Sequence, residues 1–199
     1  PDSASFERLI QLSNTPFISL HLDVQPEDLE RLTPGSALER IASTVETLRE
    51  YTKLPVLLEN IAHYEWSERP AFVSDPQWIT AALEMSETHL LLDLAHARVS
   101  AYHRHEVEME YIDALPLERV WEIHLSAPRL ETDGLRDRHL PLPDEHTTHL
   151  RLDVGPFRLR WEMHTEFVTW SFLRTLDEGV DAGGGGQEPL TAVHVVPQN

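Results

Sequence analysis

Cysteine is absent from the 199 residues of this chain. Without a thiol, the chain can form no disulfide, no thiolate-bound zinc site, no iron–sulfur cluster and no cysteine nucleophile. A small secreted domain stapled by disulfides is therefore excluded as a class, and we predict a reducing, cytoplasmic location. Any bound metal would have to be held by nitrogen and oxygen ligands.

Positive charge is also scarce, because lysine occurs only at Lys53 and the formal net charge is −18. Such an acidic chain repels a nucleic-acid duplex, and no cluster of Lys and Arg interrupts the charge, so we expect no nucleic-acid partner. No hydrophobic run approaches the length of a membrane span, and no charged-then-apolar leader opens the sequence. The chain starts at Pro1 and stops at Asn199 after an apolar run, which predicts a piece of a longer gene product.

Histidine and carboxylate are abundant instead, with 12 His and 34 Asp plus Glu against 16 Lys plus Arg. Neutral imidazoles and surplus carboxylates favour a divalent metal held by nitrogen and oxygen. The simpler interpretation is an acidic, solvated surface with scattered histidines, and composition alone does not separate the two.

Apolar strands and helices alternate from about residue 16 to residue 125. Continuous apolar strands separated by helices are typical of a parallel sheet covered by helices, so we predict an α/β fold. The helix at 36–52 has Ser36 as its predicted N-cap, with Glu39 completing a capping box, and Asp75-Pro76 starts the next helix. The other predicted elements are strands at 16–22, 54–60, 89–93 and 119–125 and a helix at 106–115.

Four successive strands each end on a residue that can bind metal or transfer a proton: His21, Glu59, Asp93 and His124. In parallel α/β folds the C-terminal ends of the strands form the ligand-binding face. One such ending arises easily by chance, but four in register predict a shared site.

Two further pairs of acid and imidazole extend this set. In the stretch LLDLAHARVSAYHR, residues 91–104, the strand ends at Asp93 and we expect His96 to come off the following loop. A polar loop after the last strand carries an Asp-x-His pair. We predict two adjacent metal sites, one formed by Glu59, Asp93 and His124 and the other by His96, Asp137 and His139. The alternative is a hydrogen-bonded polar cluster without metal.

The pattern changes after about residue 146. Apolar and polar residues alternate between 157 and 164, which is typical of half-exposed antiparallel strands, and Gly183–Gly186 form a flexible loop. The segment PLTAVHVVP, residues 189–197, predicts a last strand. We therefore predict two units, an α/β unit over 1–145 and a β-rich appendage with a glycine-rich loop over 146–199.

The blocks SLHL, LLEN, LLDLAHARVSA and ERVWEIHLS, in this order, resemble the xylose-isomerase-like TIM barrels, a superfamily that includes endonuclease IV. They look most like the multinuclear non-heme iron-dependent oxidases of the methanobactin-biosynthesis type, over about residues 5–145. This resemblance implies a partial TIM barrel, divalent metal ions with iron first and zinc or manganese as alternatives, and a small-molecule or peptide substrate. The positions that match metal ligands of that family are His21, Glu59, Asp93, His96, His124, Asp137 and His139.

The chain departs from this family by what is missing. A TIM barrel has eight strands, and only about four or five are evident here. Glu162, in RWEMH, is the candidate to replace the glutamate of the final barrel strand. Three interpretations stay open: an oxidase-like metal-dependent enzyme, a metal-dependent hydrolase or isomerase of the same superfamily, and an inactive barrel fragment or binding module. The sheet edges of an incomplete barrel predict self-association or a partner chain.

Asn60 and Arg129 are the predicted substrate-binding residues, the first at a strand end and the second in the loop before Asp137. Four further histidines are expected to be solvated in loops: His103, His105, His146 and His149. The tail over 146–199 is similar to the N-terminal region of an uncharacterised family of bacterial membrane-anchored proteins, which implies no catalytic residues.

Overall fold

A computed structural model of the chain describes residues 3–13, 15–24 and 32–140. Four later strands are described by their backbone alone, and side chains are described for 5–13, 15–24 and 32–140. Strands and helices alternate through the first part, as the sequence predicts. The helices are α1 (Ser3–Ser13), α2 (Pro34–Thr52), α3 (Pro76–Met85), α4 (Leu94–His103) and α5 (Glu108–Asp113). The strands are β1 (Ile18–His21), β2 (Val56–Glu59), β3 (His89–Asp93), β4 (Val120–Leu125), β5 (Ala127–Glu131), β6 (Gly134–Leu140), β7 (Arg151–Val154), β8 (Phe157–His164), β9 (Phe167–Arg174) and β10 (Ala192–Val195).

The main sheet is parallel and has the strand order β1-β2-β3-β4-β10. The first four strands follow chain order, as the successive strands of a barrel do, and helices separate them. Within the described residues the sheet stays open, with β1 at one edge and β10 at the other. The predicted α/β fold with parallel strands and outer helices is therefore confirmed, and the strands that the structure describes form no closed barrel.

The strand register aligns the predicted ligands at one end of the sheet. His21 is the partner of Glu59 between β1 and β2, and Asp93 is the partner of His124 between β3 and β4. Because all four strands run in the same direction, their C-terminal ends share one rim. The four residues are thus held at one rim by the pairing of their strands.

One face of the sheet packs against the helices and forms the core. Leu58, Leu90, Leu92 and Ile123 project to this face, where they join residues of the helices such as Ile79. Each of these sheet residues is at most 1 % exposed, and burying such a side chain stabilises the fold by roughly 1.5–3 kcal/mol. Because side chains alternate across a strand, the neighbouring positions project to the opposite face, where the strand-end site lies.

Two helix starts differ in detail from the sequence predictions. The N-cap of α2 is Thr33 rather than Ser36, because Pro34 occupies the first turn and Ser36 completes the capping box as its third residue. Asp75 caps α3 as predicted and accepts hydrogen bonds from the main-chain N–H groups of Gln77 and Trp78. The more consequential difference concerns α4, which begins directly after β3.

His96 lies in the first turn of α4, so its predicted position on a loop is wrong. Asp93 ends β3 and is also the N-cap of α4, and its Oδ1 accepts a hydrogen bond from the main-chain N–H of His96 at 2.9 Å. Asp is among the residues preferred at this position because its carboxylate satisfies a free N–H group of the first turn. Strand and helix therefore meet at a single residue.

The segment that follows β4 is a hairpin and not the polar loop that we predicted. Strands β5 and β6 pair antiparallel, and Gly134 at the turn has a φ of +119°. An Asp-Gly pair is a strong hairpin signal, since glycine tolerates the backbone angles of the turn. Asp137 and His139 consequently lie on β6, in the irregular part of its pairing with β5, where His139 has a φ of +47°.

The later strands confirm the predicted antiparallel tail. Strand β8 pairs antiparallel with β7 and with β9, and it does not lie beside β4. The strand beside β4 is β10, which pairs with it in parallel. The side chain of Glu162 lies outside the described residues, as do His146 and His149 and the loop Gly183–Gly186.

Among the helices of the described residues, none combines the length and apolar character needed to cross a membrane.

Candidate metal centre

Three of the four strand-end residues meet at the rim of the sheet. Nδ1 of His124 lies 3.5 Å from Oε1 of Glu59 and 4.0 Å from Oδ2 of Asp93. Glu59 and Asp93 are buried, whereas the His124 side chain is 30 % exposed. This group, with one ligand atom from each of three neighbouring strands, is the set that we predicted for the first ion.

The second predicted group also comes together. Oδ2 of Asp137 lies 3.1 Å from Nε2 of His96 and 3.0 Å from Nε2 of His139. His96 is buried in α4, whereas the His139 side chain is 62 % exposed on the hairpin. One carboxylate oxygen is therefore shared between two imidazoles from different elements.

A third group connects the first two. Nε2 of His21 lies 3.4 Å from Oε2 of Glu59, and Nδ1 of His96 lies 3.7 Å from Oε1 of the same carboxylate. In each of the three groups, candidate ligand atoms lie within 4.8 Å of one another. Glu59 belongs to two of the groups and His96 to two, so all seven residues form one continuous cluster.

The carboxylates of this cluster experience opposing effects on their pKa values. Burial raises the pKa of Glu59, but hydrogen bonds from His124 and His21 outweigh it and lower that pKa to about 2. Burial likewise raises the pKa of Asp93, and the nearby His96 counteracts this only in part. Burial raises the pKa of Asp137 too, but hydrogen bonds from His96 and from the main-chain N–H of His139, with the charges of both imidazoles, together lower that pKa. Glu59 and Asp137 are therefore ionised at neutral pH, as metal ligands must be.

The imidazoles are polarised by these carboxylates. Burial lowers the pKa of His96, but the hydrogen bond to Asp137 and the charge of Asp93 raise it to about 9. Burial also lowers the pKa of His124, but hydrogen bonds to Glu122 and Glu59 raise it to about 9. The hydrogen bond to Glu59 raises the pKa of His21. The cluster thus attracts positive charge, which protons or metal ions can supply.

Asn60 fixes the geometry between β2 and β3. Its side-chain amide donates to the carbonyl oxygen of Asp93 at 2.9 Å, and its Oδ1 accepts from the main-chain N–H of Asp93 at 2.8 Å. The main-chain oxygen of Asn60 lies 2.8 Å from Nδ1 of His96. Because a carbonyl only accepts, Nδ1 carries a proton, so a metal would bind at Nε2 in place of the proton that faces Asp137. Asn60 is 1 % exposed, so its amide positions Asp93 instead of facing solvent.

The hairpin that carries Asp137 is anchored by aromatic residues. The main-chain N–H of Asp137 donates to the Tyr64 hydroxyl at 3.1 Å, and Nε2 of His103 donates to the carbonyl oxygen of Leu135 at 2.8 Å. The Arg136 guanidinium lies 4.6 Å from the centre of the Trp66 ring. His103 is only 4 % exposed, so its predicted place in a solvated loop is wrong, whereas the His105 side chain is exposed as expected.

Sequence reasoning missed two kinds of residue around the cluster. Tyr64 and His103 approach the hairpin from segments far away in the sequence, and no local signal marks them. Glu122 contacts His124 on the same strand, and the alternation Trp-Glu-Ile-His could have identified it, since residues two apart share a face. Arg129 lies exposed on β5, and no contact of its side chain bears on the predicted substrate role.

The donor atoms fit a metal ion by chemistry and by spacing. Imidazole nitrogens and carboxylate oxygens bind zinc at about 2.0–2.2 Å, which places neighbouring ligand atoms of one ion roughly 3.0–3.5 Å apart. Several separations in the cluster fall in this range, including those around Asp137 and between His21 and Glu59. The set contains no sulfur, which suits iron, zinc or manganese. The cluster is therefore compatible with a metal ion.

A family model described as "RiPP precursor modification enzyme MbnB/TglH/ChrH" matches residues 4–169. The chain belongs to this family. The match includes every residue of the cluster and extends past residue 145, into the segment predicted as an appendage. Membership confirms the predicted resemblance at the level of a family of RiPP precursor modification enzymes.

Curated relatives come from several bacteria and carry the description UPF0276 protein. The chain is 31% identical over 104 residues to one from Acaryochloris marina, which covers 52% of this chain and 37% of that protein. It is 29% identical over 150 residues to one from Paraburkholderia phytofirmans, covering 70% of this chain and 48% of the relative. A relative from Rhizobium meliloti is 27% identical over 150 residues, covering 72% and 48%. The chain thus spans less than half the length of these relatives.

Proposed function

We propose that this chain holds a multinuclear metal site, with iron as the metal, and that this site carries out an oxidase-like reaction on a peptide. The observation that carries the proposal is the overlap of the three ligand groups through Glu59 and His96. A carboxylate has two oxygens, so Glu59 can bind two ions at once, with Oε1 toward His124 and Oε2 toward His21. Such a bridge favours adjacent ions over a single one.

The chain's own residues would hold and orient the ions. Glu59, Asp93 and His124 come from the ends of three paired strands, so they form a rigid ligand set. His96, Asp137 and His139 combine a helix with a hairpin, and Asn60 fixes the ring of His96. When bound, iron would supply the electrons needed for dioxygen chemistry.

A peptide substrate is supported by the family description, which names modification of a RiPP precursor. The ring of His139 is exposed at the solvent side of the cluster, and a peptide could approach there. The proposal includes contact of Arg129 with the substrate. Because the relatives are more than twice as long as the matched segment, the activity of the whole protein is part of the proposal as well.

Metal analysis of the protein purified without oxygen tests this function. We expect at least two iron ions per chain and a new visible absorption band on exposure to dioxygen. Colourless protein with stoichiometric zinc would favour a metal-dependent hydrolase or isomerase instead. Weak, substoichiometric metal of every kind would favour an inactive fragment or a binding module.

A further inference from the structure

Glu122 is a buried carboxylate directly beneath the rim of the site. It precedes His124 by two residues on β4, so both side chains project to the same face of the sheet. Glu122 is 4 % exposed, and its Oε1 lies 3.3 Å from Nε2 of His124. Among the side chains that the structure describes, its Oε2 has no hydrogen-bond partner.

The His124 ring lies between this carboxylate and the candidate metal position. Its Nε2 faces Glu122, whereas its Nδ1 faces Oε1 of Glu59 at 3.5 Å and Oδ2 of Asp93 at 4.0 Å. A carboxylate only accepts hydrogen bonds, so the nitrogen that faces Glu122 must carry a proton for the contact to be favourable. The carboxylates that face Nδ1 would share the ion, so a bound metal would take the place of a proton on Nδ1, while Nε2 keeps its proton toward Glu122.

We propose that Glu122 is a positioning residue that accepts the Nε2 proton of His124 and thereby makes Nδ1 the metal-binding atom. The inference rests on the proposed function, because it assumes that His124 is a ligand. Hydrogen bonding of the second ring nitrogen to a carboxylate fixes both the tautomer and the ring orientation of a metal-bound histidine, and it makes the ligand more basic. Glu122 would perform this role for the ion held by Glu59, Asp93 and His124.

The neighbouring His96 has the opposite arrangement. Its Nδ1 donates to the carbonyl oxygen of Asn60 at 2.8 Å, and its Nε2 faces Asp137 at 3.1 Å. The two histidines would therefore bind adjacent ions through different nitrogens. His96 belongs to helix α4 and His124 to strand β4.

A purely structural role explains Glu122 poorly. A buried carboxylate with one unpaired oxygen costs stability, because it loses hydration that the protein does not replace. If Glu122 served only the fold, replacing it should weaken the fold and metal binding together. If it serves His124, the isosteric Glu122→Gln should leave the fold intact or more stable and weaken metal binding alone.

The direct test uses long-range ¹H–¹⁵N correlation spectra of the full chain, labelled with ¹⁵N-histidine and loaded with zinc, which is diamagnetic. We expect His124 to show a zinc-bound Nδ1 and a protonated Nε2, with the reverse for His96. Assignment comes from the loss of one ring's signals in His124→Gln. Zinc bound through Nε2 of His124 would overturn the proposal without affecting the existence of the site.

Zinc titrations of variants provide a second, independent test. We expect Glu122→Gln and Glu122→Ala to weaken the affinity for one zinc ion by about ten- to a hundredfold, with Gln the milder because it keeps an acceptor oxygen. The matched control is Glu118→Gln, which removes an equal charge from an exposed position next to the same strand. Circular dichroism verifies the fold of each variant.

The outcomes separate this inference from the proposed function. Wild-type protein that binds zinc while both Glu122 variants bind it equally well contradicts the positioning role alone. Wild-type protein that binds neither zinc nor iron contradicts the proposed function, and the positioning role falls with it.

Discussion

At the scale of single residues, the two imidazoles that flank Asp137 decide whether the second group binds an ion. His96 and His139 place their Nε2 atoms 3.1 and 3.0 Å from the same carboxylate oxygen. A metal ion and a pair of hydrogen bonds would both explain this geometry. Removing the imidazoles distinguishes these two explanations, because the number of metal ions bound per chain falls only if the group binds metal.

We expect His96→Ala and His139→Ala each to weaken binding of one ion at least tenfold, and the double variant to lose that ion entirely. Even changes outside the ligands cause tenfold effects, so losing one ligand of three should exceed them. Metal content per chain and titration affinity are the measurements. His105→Ala, an exposed histidine outside the cluster, is the control. Unchanged metal content in the double variant would show that the group is a polar cluster without metal.

A second prediction concerns Asn60. Asn60→Ala leaves the main-chain N–H and C=O of Asp93 without their partners in a buried position. We expect a lower free energy of unfolding, by about 1–3 kcal/mol for each unpaired group, together with weaker metal binding. Chemical denaturation measures the first effect. Gln77→Ala, at an exposed helix position, should change stability by less than about 0.5 kcal/mol. Equal stability of the two variants would mean that the amide does not lock the strand ends.

At the scale of elements, the hairpin β5–β6 is the part of the site that depends most on its anchors. It supplies Asp137 and His139 but lies outside the parallel sheet, and Tyr64, His103 and Arg136 connect it to the rest. Its turn at Gly134 has a positive φ, and a Cβ there would lie 2.7 Å from Cε1 of His103. The hairpin therefore couples the second ligand group to α4.

Gly134→Ala should affect the metal affinities of the two ligand groups differently. Backbone strain and the clash with His103 are expected to cost about 1–3 kcal/mol. We expect the ion held by His96, Asp137 and His139 to be weakened, and the ion at the strand ends to keep its affinity.

The matched control is Gly35→Ala, at the start of α2, where the new Cβ would have no atom within 4 Å apart from its chain neighbours and the backbone of its own helix. Alanine is favoured over glycine in a helix, so the control should be neutral or stabilising by up to about 1 kcal/mol. Titration with zinc, combined with thermal unfolding, checks both variants. Equal loss of both ions in Gly134→Ala would contradict a separate role for the hairpin.

At the scale of the whole molecule, an open sheet and a strong negative charge oppose each other. Within the described residues, nothing pairs with the outer edge of β1, and an exposed edge favours association. The net charge of −18 keeps copies apart at low ionic strength. Self-association, which the sequence predicts, should therefore depend on salt.

We expect the mass in light scattering to rise above 22.8 kDa when NaCl is raised from about 0.01 M to about 1 M, since the screening length falls from roughly 30 Å to roughly 3 Å. The variant Ser19→Pro is compared with the wild-type protein, because it alters the free edge of β1. The main-chain N–H groups of Ile18 and Leu22 point to β2, so that of Ser19 points to the free edge, and proline there removes only the outward donor. A monomer at every salt concentration would contradict association through β1.

The sequence by itself determined the parallel α/β architecture and the residues at its rim. The sequence allowed prediction of the apolar strands that end on His21, Glu59, Asp93 and His124, because the period and the end of a strand are local properties. Their shared location follows from one rule, that parallel strands present their C-terminal ends together. The antiparallel tail was predictable from alternation for the same reason.

Only the tertiary structure decided how the remaining ligands reach this rim. Helix α4 is buried on nearly every side, from Leu94 to His103, so it lacks the amphipathic pattern that would have placed His96 on a helix. The hairpin of Asp137 and His139 is anchored by Tyr64 and His103, which are distant in sequence. Contacts between residues far apart in the chain depend on packing, and a local pattern cannot encode them.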